Sequence, residues 1–311
     1  MFVFNTLAPV FLLIALGAAL LKAGFLTPEL SKGVNRLAYW VALPALLFHS
    51  TASAGAPDGG GRLVLVMLAA LLLVTLLALG VALALRLPAV AAGTFVHVSM
   101  RGNVTFVGVP VVFYVLEAAA GADAPALKSA AILALAPFIL VQNIVGFTAL
   151  LAGRHERGGK LLRTIGREIG THPLLIAIAL GLIVGWTGWR LPVALDRSLH
   201  ALGAVALPVT LLGIGASLMT VRIRGQRQTA LLASAFKLVV MPLLGWSFGR
   251  WLGLDRMELL LALVYLGCPT GASSFTVVAE MGGDEPMAST TIVLSTLLSA
   301  ATLAVVVGWY S

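Results

Sequence analysis

Ten stretches of about 20 predominantly apolar residues follow one another along this 311-residue chain, enough in each case for an α-helix to cross a bilayer. Charged residues make up 10% of the sequence, whereas a soluble domain contains about 25%. We therefore predict an all-α polytopic membrane protein with ten transmembrane helices, at residues 4–23, 34–53, 63–85, 93–118, 126–152, 172–189, 195–220, 228–252, 257–281 and 286–309.

The basic residues indicate how these spans are oriented. Twelve Lys and Arg residues lie in or beside loops after odd-numbered spans, six lie in or beside loops after even-numbered spans, and Arg101 and Lys237 lie deep within spans. Because loops rich in Lys and Arg stay in the cytoplasm, we expect both termini outside the cytoplasm, in the plasma (inner) membrane. These loops account for the net charge of +8, so a lipid bilayer rather than nucleic acid is the expected surrounding partner.

The two halves of the chain resemble each other. An ungapped shift of 164 residues aligns Pro9, Gly17, Gly24, Pro28 and Pro44 with their counterparts Pro173, Gly181, Gly188, Pro192 and Pro208. Because each half contains an odd number of spans, the second half must be inverted relative to the first, as in many carriers. We predict a first five-helix repeat at 1–152, a cytoplasmic linker at 153–171 and a second, inverted five-helix repeat at 172–311.

The fourth and ninth spans contain residues that interrupt helices, Gly108 and Pro110 in the fourth and Pro269 and Gly271 in the ninth. Proline lacks a backbone donor and is favoured in the first turn of a helix. We therefore expect each proline to begin a new half-helix at mid-membrane, and the inverted repeats to bring the two broken helices across each other. Broken spans at corresponding positions of two repeats point to the binding site of a secondary transporter.

Polar side chains near these breaks define a candidate binding site that lacks carboxylates. Helix N-termini attract anions, so the site suits an anion, most simply a small carboxylate. Interhelical hydrogen bonding is an equal alternative for the hydroxyl groups and for the glutamine. The expected substrate-binding residues are Asn103, Arg101, Thr105, Gln142, Thr270, Ser273 and Ser274.

Four ionisable residues within the spans, Arg101, Lys237, His49 and His97, are candidates for a role in transport, because charge at membrane depth marks functional positions by default. Arg101 can pair with the substrate or reach out of the membrane, whereas Lys237 is expected to tie helices together. His49 and His97 can carry a coupling proton, or they can be satisfied within the core. We expect no cofactor and no metal site; missing carboxylates argue against a sodium site of acidic side chains, while a site of carbonyls alone stays open.

These motifs resemble the auxin efflux carrier family, in its bacterial branch of malonate and other organic-acid permeases. The resemblance extends over nearly the whole chain. It is carried by Asn103-x4-Gly108-x-Pro110, Asn35-Arg36, Pro44, Phe48-His49, Val141-Gln142, Leu212-Gly-Ile-Gly-Ala-Ser-Leu218, Lys237-x4-Pro242, Pro269-x-Gly271 and Ala279-Glu280.

The resemblance implies the fold of the bile acid/sodium symporters. It implies a scaffold of spans 1, 2, 6 and 7, a transport domain of spans 3–5 and 8–10, substrate contact at Asn103 and Gln142, and a homodimer formed through the scaffold. Plant members carry a longer central loop and a neutral residue where this chain has Arg101, which favours a smaller and more acidic anion here.

The leading hypothesis is a carrier that moves a small organic anion by elevator-like or rocking alternating access. The alternative is a sodium-coupled symporter of the bile-acid type. Sodium dependence of uptake would distinguish this symporter from the leading hypothesis. An enzyme is disfavoured because no HExxH motif occurs and Cys268 has no histidine nearby in sequence. Saturable counterflow of labelled substrate would argue against a channel or a receptor.

Overall fold

The computed structural model describes residues 2–53, 60–119, 121–153, 166–167, 170–220 and 227–310. Within these ranges the regular elements are helices, together with one isolated antiparallel bridge between Gly102 and Thr270. Most of the predicted linker at 153–171 lies outside the described residues, including Arg154, Arg157, Lys160 and Arg163.

The α-helices are numbered here in chain order. They are α1 (Phe2–Lys22), α2 (Pro28–Leu37), α3 (Leu43–Ser53), α4 (Gly61–Ala84), α5 (Ala89–Met100), α6 (Val109–Ala119), α7 (Ala124–Gly153), α8 (Pro173–Thr187), α9 (Val193–Ala204), α10 (Ala206–Thr220), α11 (Arg227–Ala235), α12 (Met241–Trp251), α13 (Arg256–Leu266), α14 (Ser273–Glu280) and α15 (Glu285–Tyr310).

Many of these helices have the composition of membrane spans. Among the described residues, five helical stretches are long and apolar enough to cross a bilayer: Gly61–Ala84, Leu127–Gly153, Val193–Thr220, Arg227–Trp251 and Glu285–Tyr310. Shorter apolar helices occupy Thr6–Lys22, Ala89–Met100, Val104–Ala119 and Pro173–Thr187. The chain therefore has the helical architecture of a polytopic membrane protein, as its apolar windows predict.

Three helices contain a wide π-helical turn, and in each case a proline follows two residues after that turn. The turns are Ala38–Ala42 before Pro44, Val104–Gly108 before Pro110 and Phe236–Val240 before Pro242. A proline ring clashes with the carbonyl four residues earlier, and a π turn moves that carbonyl aside because its hydrogen bonds reach five residues. The helix therefore passes through each proline without ending.

This accommodation corrects the predicted position of the first helix break. Helix α5 ends at Met100, the helical turns resume at Val104, and the three residues between them are not helical. The prediction that Gly108 and Pro110 break the fourth span is wrong, because both lie within the helix that follows the interruption.

The second interruption lies where the sequence places it. Helix α13 ends at Leu266 and α14 begins at Ser273, so Pro269 and Gly271 both lie in the non-helical segment. Pro269 does not begin the second half-helix, however, because α14 starts four residues later.

The chain groups into two compact units. The first unit contains Met1–Gly60, Thr105–Ala136 and Glu168–Thr220, and the second contains Gly61–Val104, Pro137–Arg167 and Val221–Ser311. We describe each unit by itself.

In the first unit, α1 and α10 approach each other at glycines. A Cβ atom on Gly17 would overlap the carbonyl of Leu212, and one on Gly215 would overlap the carbonyl of Ile14. Small residues permit such close backbone approach between membrane helices. The glycines of the seventh predicted span therefore form a packing surface of this unit.

In the second unit, glycines bring α5 and α7 together. A Cβ atom on Gly93 would lie 2.5 Å from the carbonyl oxygen of Ala149, and one on Gly146 would lie 2.8 Å from Nδ1 of His97. Since Gln142 is about one helical turn before Gly146, this close approach places its amide beside the end of α5.

Candidate functional site

The two helix interruptions are joined by main-chain hydrogen bonds within the second unit. We call Arg101–Asn103 and Pro269–Gly271 the crossing. The N–H of Asn103 donates to the carbonyl of Pro269 at 2.7 Å, and the N–H of Gly271 donates to the carbonyl of Arg101 at 3.0 Å. Non-helical backbone at membrane depth requires partners of this kind, and each interruption supplies them to the other.

Gln142 on α7 holds the middle of the first interruption. Its Oε1 accepts a hydrogen bond from the N–H of Gly102 at 2.9 Å, and its Nε2 donates to the carbonyl of Gly102 at 3.4 Å. The side chain is 3% exposed. The amide of Gln142 is thus engaged in positioning the backbone of the crossing.

Thr270 fixes the second interruption by two further bonds. Its hydroxyl donates to the carbonyl of Val98 at 2.9 Å, and its N–H donates to the Ser295 hydroxyl at 3.0 Å. The role of Ser295 was not predicted. The signal available in the sequence was the row of hydroxyl residues along the tenth span, at Ser289, Thr290, Thr291, Ser295, Thr296 and Ser299.

Lys237 lies fully buried beside Gly102. Its Nζ donates to the carbonyl of Leu266, the last residue of α13. A Cβ atom on Gly102 would lie 3.0 Å from Cε of Lys237, so a side chain there would press against the lysine. A cation near a helix C-terminus offsets the partial negative charge of the terminal carbonyls. This geometry fits the expected role of Lys237 in tying helices together.

Arg101 is the second cation at the crossing and the C-cap residue of α5. Its guanidinium lies 6.0 Å from the centroid of the Phe147 ring on α7, within the range of a cation–π interaction. The C-terminal ends of both half-helices, α5 and α13, thus have a basic residue beside them.

Several hydrogen-bond donors at the crossing and at the start of α14 have no acceptor among the described residues. Asn103 is 8% exposed, and its carboxamide forms no hydrogen bond with any described residue. The buried Ser274 hydroxyl also has no partner in the described part of the chain. Across the same ranges, the N–H groups of Ala272 and Ser273 at the start of α14 have no acceptor.

The remaining predicted residues fall in different places. Ser273 is exposed at the start of α14, and Thr105 is half-buried and belongs to the first unit. His97 is fully buried with Nδ1 3.1 Å from the carbonyl of Gly146, and its Nε2 has no partner among the described residues. In the first unit, Nε2 of His49 lies 3.0 Å from the Asp196 carboxylate.

The charges around the crossing favour an anion. Its basic residues, Arg101 and Lys237, accompany the C-terminal ends of helices, where the helix dipole is negative. The unused N–H groups of α14 are at an N-terminus, where the dipole is positive and anions bind. No Asp or Glu occurs within either interruption.

Interrupted helices that meet inside an apolar helical protein and keep polar groups free are typical of membrane transporters. A family model described as "Membrane transport protein" matches residues 2–164 and 159–307. The chain belongs to this family, and its resemblance to the auxin efflux carriers is confirmed. It is 24% identical over 281 residues to a Rhizobium meliloti (strain 1021) protein described as "Putative malonate transporter", covering 87% of this chain and 84% of the relative.

Proposed function

We propose that this protein carries a small organic anion, a carboxylate or a dicarboxylate such as malonate, by alternating access at the crossing. The observation that carries the proposal is that some polar groups at the crossing hold its backbone while others keep free donors. Main-chain bonds, Gln142 and Lys237 hold the two interruptions, while the Asn103 amide and the N-terminus of α14 keep free donors.

Each donor group has a distinct part in binding. The carboxamide of Asn103 donates to one carboxylate oxygen, and the N–H groups of Ala272 and Ser273 stabilise its charge as helix N-termini do for anions. Arg101 attracts the second carboxylate of a dicarboxylate by direct charge pairing. Gln142 acts through the backbone of Gly102 and sets the position of Asn103 rather than binding the anion.

Local geometry supports two inverted five-helix repeats as part of this proposal. Gly24 and Gly188, which the shift of 164 residues aligns, both adopt a left-handed φ, +76° and +65°. The prolines that follow them, Pro28 and Pro192, lie at the beginnings of α2 and α9. Corresponding turns thus have corresponding conformations.

We propose that the spans form two domains, one static and one that moves. Spans 1, 2, 6 and 7 act as a scaffold that forms a homodimer, and spans 3–5 and 8–10 move the substrate between the two sides. Support comes from the compact units, since α1, α2, α3, α8, α9 and α10 all fall in the first and α4, α5 and α11–α15 fall in the second. The units depart from this division at α6 and at the first part of α7, which belong to the fourth and fifth spans but fall in the first unit. With the loop charges as counted, both termini lie outside the cytoplasm.

Uptake by purified protein in liposomes tests the proposal. We expect saturable counterflow of labelled malonate, competition by other small carboxylates, and no transport of organic cations. Arg101→Ala should weaken binding of dicarboxylates more than that of monocarboxylates, because only the former present a second charge. Equal losses for both classes would make Arg101 structural.

Uptake measured with and without a sodium gradient shows whether transport of the anion is coupled to sodium. We expect uptake that does not need sodium, because neither interruption contains a carboxylate to ligate it. Uptake that appears only with a sodium gradient would instead identify a symporter of the bile-acid type.

A further inference from the structure

An apolar groove of about 600 Å³ opens on the second unit between α12, α13 and α15. Its walls include Leu243 and Trp246 on α12, Leu263 on α13, and Val305 on α15. Leu243 and Val305 are 58% and 72% exposed, so the groove is open to the surroundings of the protein. Within the membrane those surroundings are lipid chains.

A basic cavity of about 290 Å³ continues this groove at one end. It is lined by Arg250, Leu254, Arg256, Leu259 and Trp309. Trp309 lines both cavities and is 46% exposed.

The two cavities follow the same three helices, one turn apart. On α12 the groove residue Trp246 is followed by Arg250, and on α13 the groove residue Leu263 is preceded by Leu259. Residues four apart lie on one face of a helix. The groove and the basic cavity therefore form one continuous surface, apolar along most of its length and positive at its end.

We propose that this surface binds one anionic phospholipid, with an acyl chain in the groove and the phosphate between Arg250 and Arg256. The groove follows α15 from Ala301 to Trp309, about 12 Å at 1.5 Å per residue. One leaflet contributes about 15 Å to the hydrocarbon core, so the groove matches the depth of a single chain. Tryptophan is enriched at the membrane interface, and Trp309 is at the junction of the chain and headgroup positions.

The positive charge of the basic end is not neutralised by a described carboxylate. Arg256 donates to the carbonyl of Tyr310 at 2.5 Å and stacks 5.0 Å from its ring. Neither Arg250 nor Arg256 forms a salt bridge with a described residue. The nearby carboxylates are engaged elsewhere, since Asp255 and Glu258 form the capping box of α13. Arginine binds phosphate through paired N–H donors, and two of them suit a headgroup with net negative charge.

Lipid binding to the full-length protein in detergent tests this proposal, by native mass spectrometry with phosphatidylglycerol as the probe. Each basic residue near an anionic lipid strengthens binding about fivefold, so Arg250→Gln with Arg256→Gln should weaken it about thirtyfold. The matched control is Arg190→Gln with Arg197→Gln, which removes two exposed arginines elsewhere and should leave phosphatidylglycerol binding unchanged.

A second variant tests the acyl chain separately. Ala301 is an exposed wall residue of the groove, so Ala301→Trp should fill the groove and weaken phosphatidylglycerol binding with both arginines in place. Phosphatidylcholine should bind weakly and equally to wild type and the arginine variant, and any binding of glycerol 3-phosphate should be the same in both proteins.

Phosphatidylglycerol affinity that is unchanged in the double arginine variant, or reduced equally in its control, would overturn the proposal. Unchanged affinity in Ala301→Trp, or tight binding of glycerol 3-phosphate that is lost with Arg250→Gln and Arg256→Gln, would overturn the acyl-chain position and leave a simple anion site instead.

Discussion

Replacing Gln142 with leucine removes the side chain that holds the first interruption. The N–H of Gly102 then loses a 2.9 Å hydrogen bond, and its carbonyl loses a weaker one of 3.4 Å. A buried group without a partner costs about 1–3 kcal/mol, and hydrogen bonds between membrane helices contribute about 0.6 to 1.7 kcal/mol. Since the longer bond exceeds the usual range of about 2.7–3.2 Å, we expect a total loss of about 2 kcal/mol.

This loss should be measurable as a lower melting temperature of the purified protein. For a large domain, 1 kcal/mol corresponds to about 2–4 °C, so Gln142→Leu should lower Tm by about 4–8 °C and reduce malonate uptake. Gln142→Glu retains an acceptor for the Gly102 N–H, but it places a carboxyl group at a 3% exposed position where burial penalises charge. As an anion it also cannot donate to the Gly102 carbonyl, so it should lower both Tm and uptake as well.

The neighbouring residue provides the matched control. Asn143 is 8% exposed and forms no hydrogen bond with a described residue, so Asn143→Leu should change Tm much less than Gln142→Leu. If Gln142→Leu melts and transports like wild type, then the backbone of Gly102 does not depend on this amide, and the account of the crossing is wrong.

Three further predictions concern single residues. Asn103→Ala should lower uptake at least tenfold with little change in Tm, because its amide has no described partner; wild-type uptake would remove it from the site. Gly215→Ala should lower Tm because its Cβ overlaps the Ile14 carbonyl, whereas Gly80→Ala has open space and should not; equal melting would contradict the close helix contact. Lys237→Met should lower both Tm and uptake, since a charged hydrogen bond contributes about 1.5–3 kcal/mol; unchanged values of both would exclude the capping role.

Sequence patterns predicted the helical membrane fold and the second interruption. Apolar windows are local features, so the helix composition could be read directly from them. The second interruption could be predicted because Pro269, Thr270 and Gly271 occur together within an apolar run, and the structure places them in the non-helical segment.

The first interruption was predicted at the wrong residues because two signals compete in that span. Pro110 has the stronger local signal, yet a π turn absorbs it. The true interruption is centred on Gly102, where the nearby Lys237 leaves little room for a side chain. That contact joins residues far apart in sequence, so no local pattern reports it.

Long-range contacts also explain why the sequence predicts the role of Gln142 only in part. A glutamine in an apolar span predicts a polar contact, but its partner could be substrate, another side chain or backbone. Only the close approach of α5 and α7 at Gly93 and Gly146 determines that the partner is the backbone of Gly102.

The main-chain bonds that join the two interruptions have an evolutionary consequence. Since the N–H and carbonyl groups of Asn103, Pro269, Gly271 and Arg101 make those bonds, the side chains at positions 101 and 103 are not needed to maintain them. Under the binding role proposed for positions 101 and 103, substitutions there would alter which solute is recognised without dismantling the surrounding architecture, so cargo could diversify through a handful of mutations.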